Sequence, residues 1–237
     1  MKREILCIFF VLIIVSNHHL FAQFERTAGK IVADKQPGGI IEAWDLERSN
    51  ILEGSFFIND NWYVGDVKLY DGRELENMPL KYNLRDDFLH ILDNNNEMVG
   101  VIKLDKIAAF EWFNMEEKKN KRYVNCLDYK VNDTHLIGVA EILIDGKADL
   151  LIYKELDLLK GNYSLIHDAG QKNDEYVIND HYYICIDETM HHIKNKKSLL
   201  GIFEPYQEKM DQFIKANHLR AKNENDLQEI VNYYNSL

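Results

Sequence analysis

A chain of 237 residues with 46% hydrophobic side chains, 13 Tyr, 11 Phe and only 3 Pro has a globular composition, with length for one core or one core and a small appendage. Its formal charge is −11, from 39 acidic against 28 basic side chains. A surface that acidic repels nucleic acid and anionic lipid headgroups, which sets both aside as partners.

The N-terminus is patterned for export. Lys2 and Arg3 precede an unbroken apolar run from Ile5 to Val15, the length of a signal-peptide core and too short to span a bilayer. Ala22 places a small residue before a cut ahead of Gln23, and the larger Leu20 three positions before the cut allows it to shift by a residue. Loss of residues 1–22 removes Lys2, Arg3 and Glu4, leaving 26 basic against 38 acidic residues and a charge of −12. Cys7 lies inside the apolar run with no small residues before it, so no lipid-attachment signal is read there. The mature chain is expected to be soluble outside the cytoplasm, without stable insertion in the membrane. Residues 23–60 read as a lead-in, with Ala33 to Gly39 as its flexible part.

From Asn61 to Lys194 the dominant period is two. Trp62 to Tyr70 alternates, breaks at Asp71-Gly72 and resumes from Arg73 to Leu84, and Asp145-Gly146 divides a second pair of runs in the same way. Asp-Gly between alternating runs predicts a tight hairpin, because a type I′ turn needs positive φ at both central residues. Arg85-Asp86-Asp87, Asp93 to Asn96 and Glu116 to Lys121 mark further turns. Pro79 inside a run predicts an edge or a bulge. The expectation is a meander of about eight to ten antiparallel strands, rolled into a barrel or a sandwich to bury its apolar face.

After Lys194 the period changes. Ser198 is placed to cap a short helix, and Pro205 falls where a first helical turn accepts proline. Tyr206, Met210, Phe213 and Ile214 then recur at helical spacing. Asn223 or Asn225 caps a last helix whose stripe is Leu227, Ile230, Val231 and Tyr234. Residues 195–237 therefore read as a helical hairpin packed on the β domain of residues 61–194, a mainly β fold with a C-terminal α portion.

The stretch GSFFINDNWYVGDVKLYDGRELENMPLKYNLRDDFLHIL, the late NDEYVINDHYYICID and the ending YYNSL resemble a group of uncharacterised exported proteins of Bacteroidota. In that group a G-x-V-x-L-x-D-G hairpin is followed by P-L-[KR]-Y-N. The resemblance covers most of the mature chain and brings no assigned activity or site residues. It implies a Gram-negative envelope, hence the periplasm ahead of the cell surface or the medium.

Several residue groups are candidates for chemistry. His181, His191 and His192 lie close to Asp180 and Asp187 and suggest a zinc site, but adjacent His191 and His192 point to opposite faces of a strand, so at most one joins His181. Cys185 lies four residues after His181, about 13 Å along a strand and beyond reach of that base, and reads as core. Cys126 and Cys185, the two cysteines of the mature chain, are a possible disulfide or two buried thiols. Asp93, Asn95 and Glu97 mimic the start of a calcium loop, but Met98 stands where its glycine belongs and Leu104 where its bidentate Glu belongs. An Asn-rich turn accounts for them. Trp44, Trp62, Trp112 and the pairs Tyr182-Tyr183 and Tyr233-Tyr234 suit either a ligand groove or a core, with one ring of each pair facing away from the apolar side.

No nucleophile elbow, zincin motif, C-x-x-C or phosphate-binding glycine loop occurs. The reading is a non-catalytic envelope protein that binds another envelope protein or a small ligand, with no cofactor. The alternatives are a barrel that holds a small apolar or sugar ligand inside, and a metal-dependent hydrolase on His181 with His191 or His192.

Overall fold

The computed structural model describes residues 52–92, 98–131, 135–163 and 169–237. The expected leader, Trp44 and the Asp93, Asn95 and Glu97 turn lie outside them. The described residues form eleven strands: β1 (Leu52–Glu53), β2 (Tyr63–Leu69), β3 (Glu74–Asn83), β4 (Phe88–Leu92), β5 (Met98–Lys103), β6 (Ile107–Asn114), β7 (Lys119–Asn125), β8 (Val139–Ile144), β9 (Asp149–Leu159), β10 (Asp174–Ile186) and β11 (Thr189–His192). Three helices follow, α1 (Lys196–Ile202), α2 (Gln207–Ala216) and α3 (Glu224–Asn235). No helix among the described residues is long and apolar enough to cross a membrane.

All strands belong to one sheet in the order β1-β10-β9-β8-β7-β6-β2-β3-β4-β5, with β11 on the end of β10. Every pair is antiparallel except β1 with β10. The path does not return on itself, so the mainly β fold is an open, rolled sheet. It is not a simple meander, because β6 pairs with β2 and not with β5. Flat, that order would set β5 about four strand spacings, roughly 19 Å, from β6. Only Leu104–Lys106 joins the two strands, a 3₁₀ turn whose four Cα steps reach about 14 Å at most. The five strands must therefore bend round on themselves.

The inside of that roll is filled with rings. Trp112, Tyr82, Tyr123 and Phe110 are all but sealed from solvent. Phe110 lies 4.8 Å from Tyr123, 5.1 Å from Trp112 and 5.7 Å from Tyr82, centroid to centroid. Leu80, Leu89, Ile102 and Ile107 close the gaps.

One turn chemistry recurs around the roll. Asn83, Asn114 and Asn125 each end a strand with the side-chain oxygen accepting a backbone N–H two residues on, from Arg85, Glu116 and Leu127. Such a side chain imitates the backbone and starts a turn. In the first two cases the amide nitrogen also donates to an acid three residues on, Asp86 or Glu117, and the fifth residue, Asp87 or Lys118, is left-handed at φ 53. The Asn125 amide instead donates to the carbonyls of Leu104 and Ile107, at 2.9 and 2.8 Å, and ties β7 to the turn that closes the roll.

The sheet's other half is covered by the helices. Ala148, Leu150, Ile184 and Ile193 meet Leu199, Phe203, Met210, Ile214, Leu227, Ile230 and Val231. Asn195, not Ser198, caps α1; Ser198 is the third helical residue and completes the reciprocal pair by accepting from the Asn195 N–H. Asn223 caps α3 as one of the two expected residues, and α2 begins after Tyr206 without a side-chain cap.

Three local readings change. Gly72 is left-handed at φ 84 but Asp71 is not, so the first Asp-Gly turn is not type I′. At the second, Gly146 is absent from the left-handed region, and its hydrogen side chain serves packing: a Cβ there would meet the Asn235 side chain of α3. The sheet also begins ahead of Asn61, with β1 and a Phe57–Asn83 bridge inside the expected lead-in. Pro79 lies where β3 has only β2 as neighbour, two residues after the left-handed Asn77, so both an edge and a bulge are found.

Candidate functional site

The hairpin of β9 and β10 carries most of the chemistry-bearing side chains. Its register sets His181 opposite Tyr153, Tyr183 opposite Leu151, and His192 of β11 opposite Tyr183. Directly opposed residues share a face, so His181, Tyr183, Cys185, Tyr153, Glu155 and His192 project on the side away from the helices. His191 pairs with Ile184 and faces the helix layer. The expected separation of His191 from His192 therefore holds, and His192 is the one that meets His181.

The two rings stand edge to face at 5.4 Å, and Tyr183 stacks on His192 at 4.8 Å. His181 Nε2 is 2.9 Å from Glu155 Oε2. That nitrogen is closed to solvent, and the contact lacks the direction of a hydrogen bond. The His192 imidazole is pushed below its ordinary pKa by burial first, then by His181 and Lys194. Among the described residues no three His, Cys, Asp or Glu side chains are arranged to hold a metal ion.

Both thiols are free and buried in one small cluster with Ala140, Leu151, Tyr183 and Met190. Burial pushes the Cys126 thiol up to about 12 and Cys185 up to about 11. Neither is a thiolate at neutral pH, and so neither is a ready nucleophile.

Two hollows flank this hairpin, of opposite character. On the β9 side, about 220 Å³ is lined by Asp87, Gly138, Tyr153 and Glu155 among others. Asp87 accepts the Tyr82 hydroxyl at 3.0 Å, and burial outweighs that bond and raises its carboxyl. Gly138, at φ 120, keeps this hollow open, since a Cβ there would lie 3.3 Å from the Tyr153 ring and 3.4 Å from Asp87 Oδ1.

On the β10 side lies a groove of about 430 Å³ bordered by Asp180, His181, Tyr182, His192, Lys194 and Lys222, with Ile193 and Ala221. It opens where β11 leaves β10: after the bond from Ile193 N–H to the Tyr182 carbonyl, no strand among the described residues pairs with residues 177–181 on that edge. Its carboxylate, Asp180, already holds Lys154 at 2.7 Å. A third hollow, about 270 Å³ on the outside of the roll, sets Asp66, Glu74, Glu76 and Glu111 against Lys68 and Arg122, so it is acidic on balance.

The remaining aromatic candidates divide plainly. Trp112 is core, and Trp62 is 38% exposed. Tyr234 is buried against Phe203, and its outward neighbour Tyr233 stacks on Phe213 at 3.9 Å. Tyr183 is buried, while Tyr182 reaches Glu224 at 3.4 Å through its hydroxyl. Sequence reasoning missed Asp87, Glu155 and Lys222. Glu155 was marked only by alternation along β9, and nothing in the chain announces that Lys222 comes to a histidine 30 positions earlier.

Comparison with family models, characterised proteins and solved structures found no match to this chain.

Proposed function

We propose that this is a non-catalytic binding protein of the cell envelope, and that the groove at the margin of β10 and β11 is where it takes its ligand. The observation that carries the reading is the groove itself: His181, His192, Lys194 and Lys222, from three separate segments, border an open hollow of about 430 Å³, with no thiolate at hand to attack what enters. Convergent polar groups around a preformed hollow are the ordinary form of a small-ligand site.

A ligand inside the roll is less favoured, since stacked rings already occupy that space. Placement in the envelope rests on the leader-like residues 1–22 and on the resemblance to exported proteins. The test is assay of the purified full chain against ester, glycoside, peptide and phosphate substrates, with histidine ring NMR as the binding readout. Ligand-dependent shifts of His181 and His192 without turnover are expected. Turnover abolished by substituting His181 or Glu155 would overturn the reading.

A further inference from the structure

We propose that the groove binds a phosphate group carried by a small organic molecule. The proposal rests on the reading above that this groove is the ligand site, and adds the ligand's chemistry.

The charge around the groove is the first argument. Lys194 and Lys222 border it beside His181 and His192; its one lining carboxylate, Asp180, is held by Lys154 at 2.7 Å, while Glu155 and Glu224 lie against the lining rings of His181 and Tyr182. Neither Lys194 nor Lys222 has a carboxylate partner for its ammonium among the described residues, whereas nearby Lys196 is fixed to Asp211 at 2.8 Å. Two ammonium groups without a carboxylate partner, side by side on a chain of formal charge −11, set this place apart. Anions approaching it are drawn in against the field of the rest of the molecule.

The kind of donor is the second argument. The groove has ammonium and imidazole groups and no guanidinium. Ammonium groups act as point charges with rotatable donors, suited to the several oxygens of a tetrahedral oxyanion, while the planar fork that pairs with a flat carboxylate belongs to arginine. The two ammonium groups match the double charge of a phosphomonoester better than the single charge of a carboxylate.

Size is the third. A hollow of about 430 Å³ is roomier than one phosphate needs, and Ile193, Ala221 and the Tyr182 ring supply apolar wall for an organic remainder.

The test is calorimetric titration of the full chain with phenyl phosphate, inorganic phosphate and benzoate, with histidine ring NMR in parallel. Phenyl phosphate is expected to bind most tightly and to shift both His181 and His192. K194M/K222M, which changes only exposed side chains, should weaken it by about tenfold or more while leaving the unfolding temperature in place. Phosphate binding that the double variant leaves unchanged, or benzoate binding as well as phenyl phosphate, overturns the proposal. If neutral or cationic ligands shift the same two rings and phosphates do not, the groove remains the binding site and the phosphate assignment falls. If no ligand shifts them, both readings fall together.

Discussion

The two halves of this sheet bury the same face by different means. Around β2 to β6 the sheet turns on itself, and its interior holds Trp112, Tyr82, Tyr123 and Phe110 in mutual contact. Around β8 to β11 the sheet stays open to three helices, whose contribution is mostly aliphatic: Leu199, Met210, Ile214, Leu227, Ile230 and Val231. A tightly bent sheet leaves a narrow interior that a few large flat rings fill, while helix ridges interdigitate best with branched aliphatic chains. The chemistry-bearing residues fall in neither core. They gather on the reverse face and at the free edge of β10, where neither closing mechanism is at work.

The largest effect should come from emptying the roll. Trp112→Ala is expected to cost about 3–5 kcal/mol by chemical denaturation, as full loss of a buried aromatic does. Because the Trp112 indole nitrogen has no hydrogen-bond partner, Trp112→Phe should cost clearly less than Trp112→Ala. Equal losses would mean the indole is held by a polar contact and not by its volume.

Two asparagine clamps offer a direct comparison of the halves. Asn125 is fully buried and donates to two carbonyls of the roll, while Asn235 of α3 accepts from the Ala148 N–H and donates to its carbonyl near the surface, at 2.8 and 2.9 Å. Asn125→Ala removes a buried donor from both carbonyls, leaving that of Leu104 with the Ile107 N–H alone, and should cost about 3 kcal/mol, against about 1 kcal/mol for Asn235→Ala, where water can substitute. Denaturation midpoints of the two variants decide it, and an equal or reversed order would remove the claim that the roll depends on its closing turn.

The smallest effect sits where the halves meet. Glu141 is 5% exposed, with the Tyr123 hydroxyl at 3.3 Å and Lys121 at 3.5 Å, and burial raises its carboxyl despite that lysine. Lys121 is closer to Glu117, at 2.6 Å, which leaves Glu141 incompletely paired. A raised folded pKa means the protonated form is favoured: this stability is present below the ordinary carboxylate range and lost as pH rises through the raised value. Glu141→Gln stays neutral throughout, so its unfolding temperature should gain on the parent as pH climbs from about 4 to neutrality. If the variant falls behind above that range, the ionised Glu141–Lys121 pair is a net stabiliser.

Much of the architecture could be read along the chain. The period of two from Asn61 to Lys194 and its change to a helical period afterwards reflect only which side chains face water, a property each segment carries alone. The opposed directions of His191 and His192 followed from the same alternation. The asparagines were legible too, with hindsight of mechanism: Asn83, Asn114 and Asn125 each stand three residues before an acid, at Asp86, Glu117 and Asp128. What alternation cannot carry is which strand a strand chooses. The pairing of β6 with β2 depends on a bend that only the packed rings enforce.

The site shows the same division. Local pattern was enough for the strand–helix layout, the Asn223 cap of α3 and the face on which each β10 side chain projects, because those depend on backbone geometry and nearest neighbours; the cap of α1 fell to Asn195 and not Ser198. It took the packed fold to bring Lys222, from the turn before α3, beside Lys194 and the two histidines, and to set Glu155 behind His181. Charges brought together from distant segments leave no trace in local pattern, since the energy that assembles them comes from burying the helices on the sheet and not from the charges themselves.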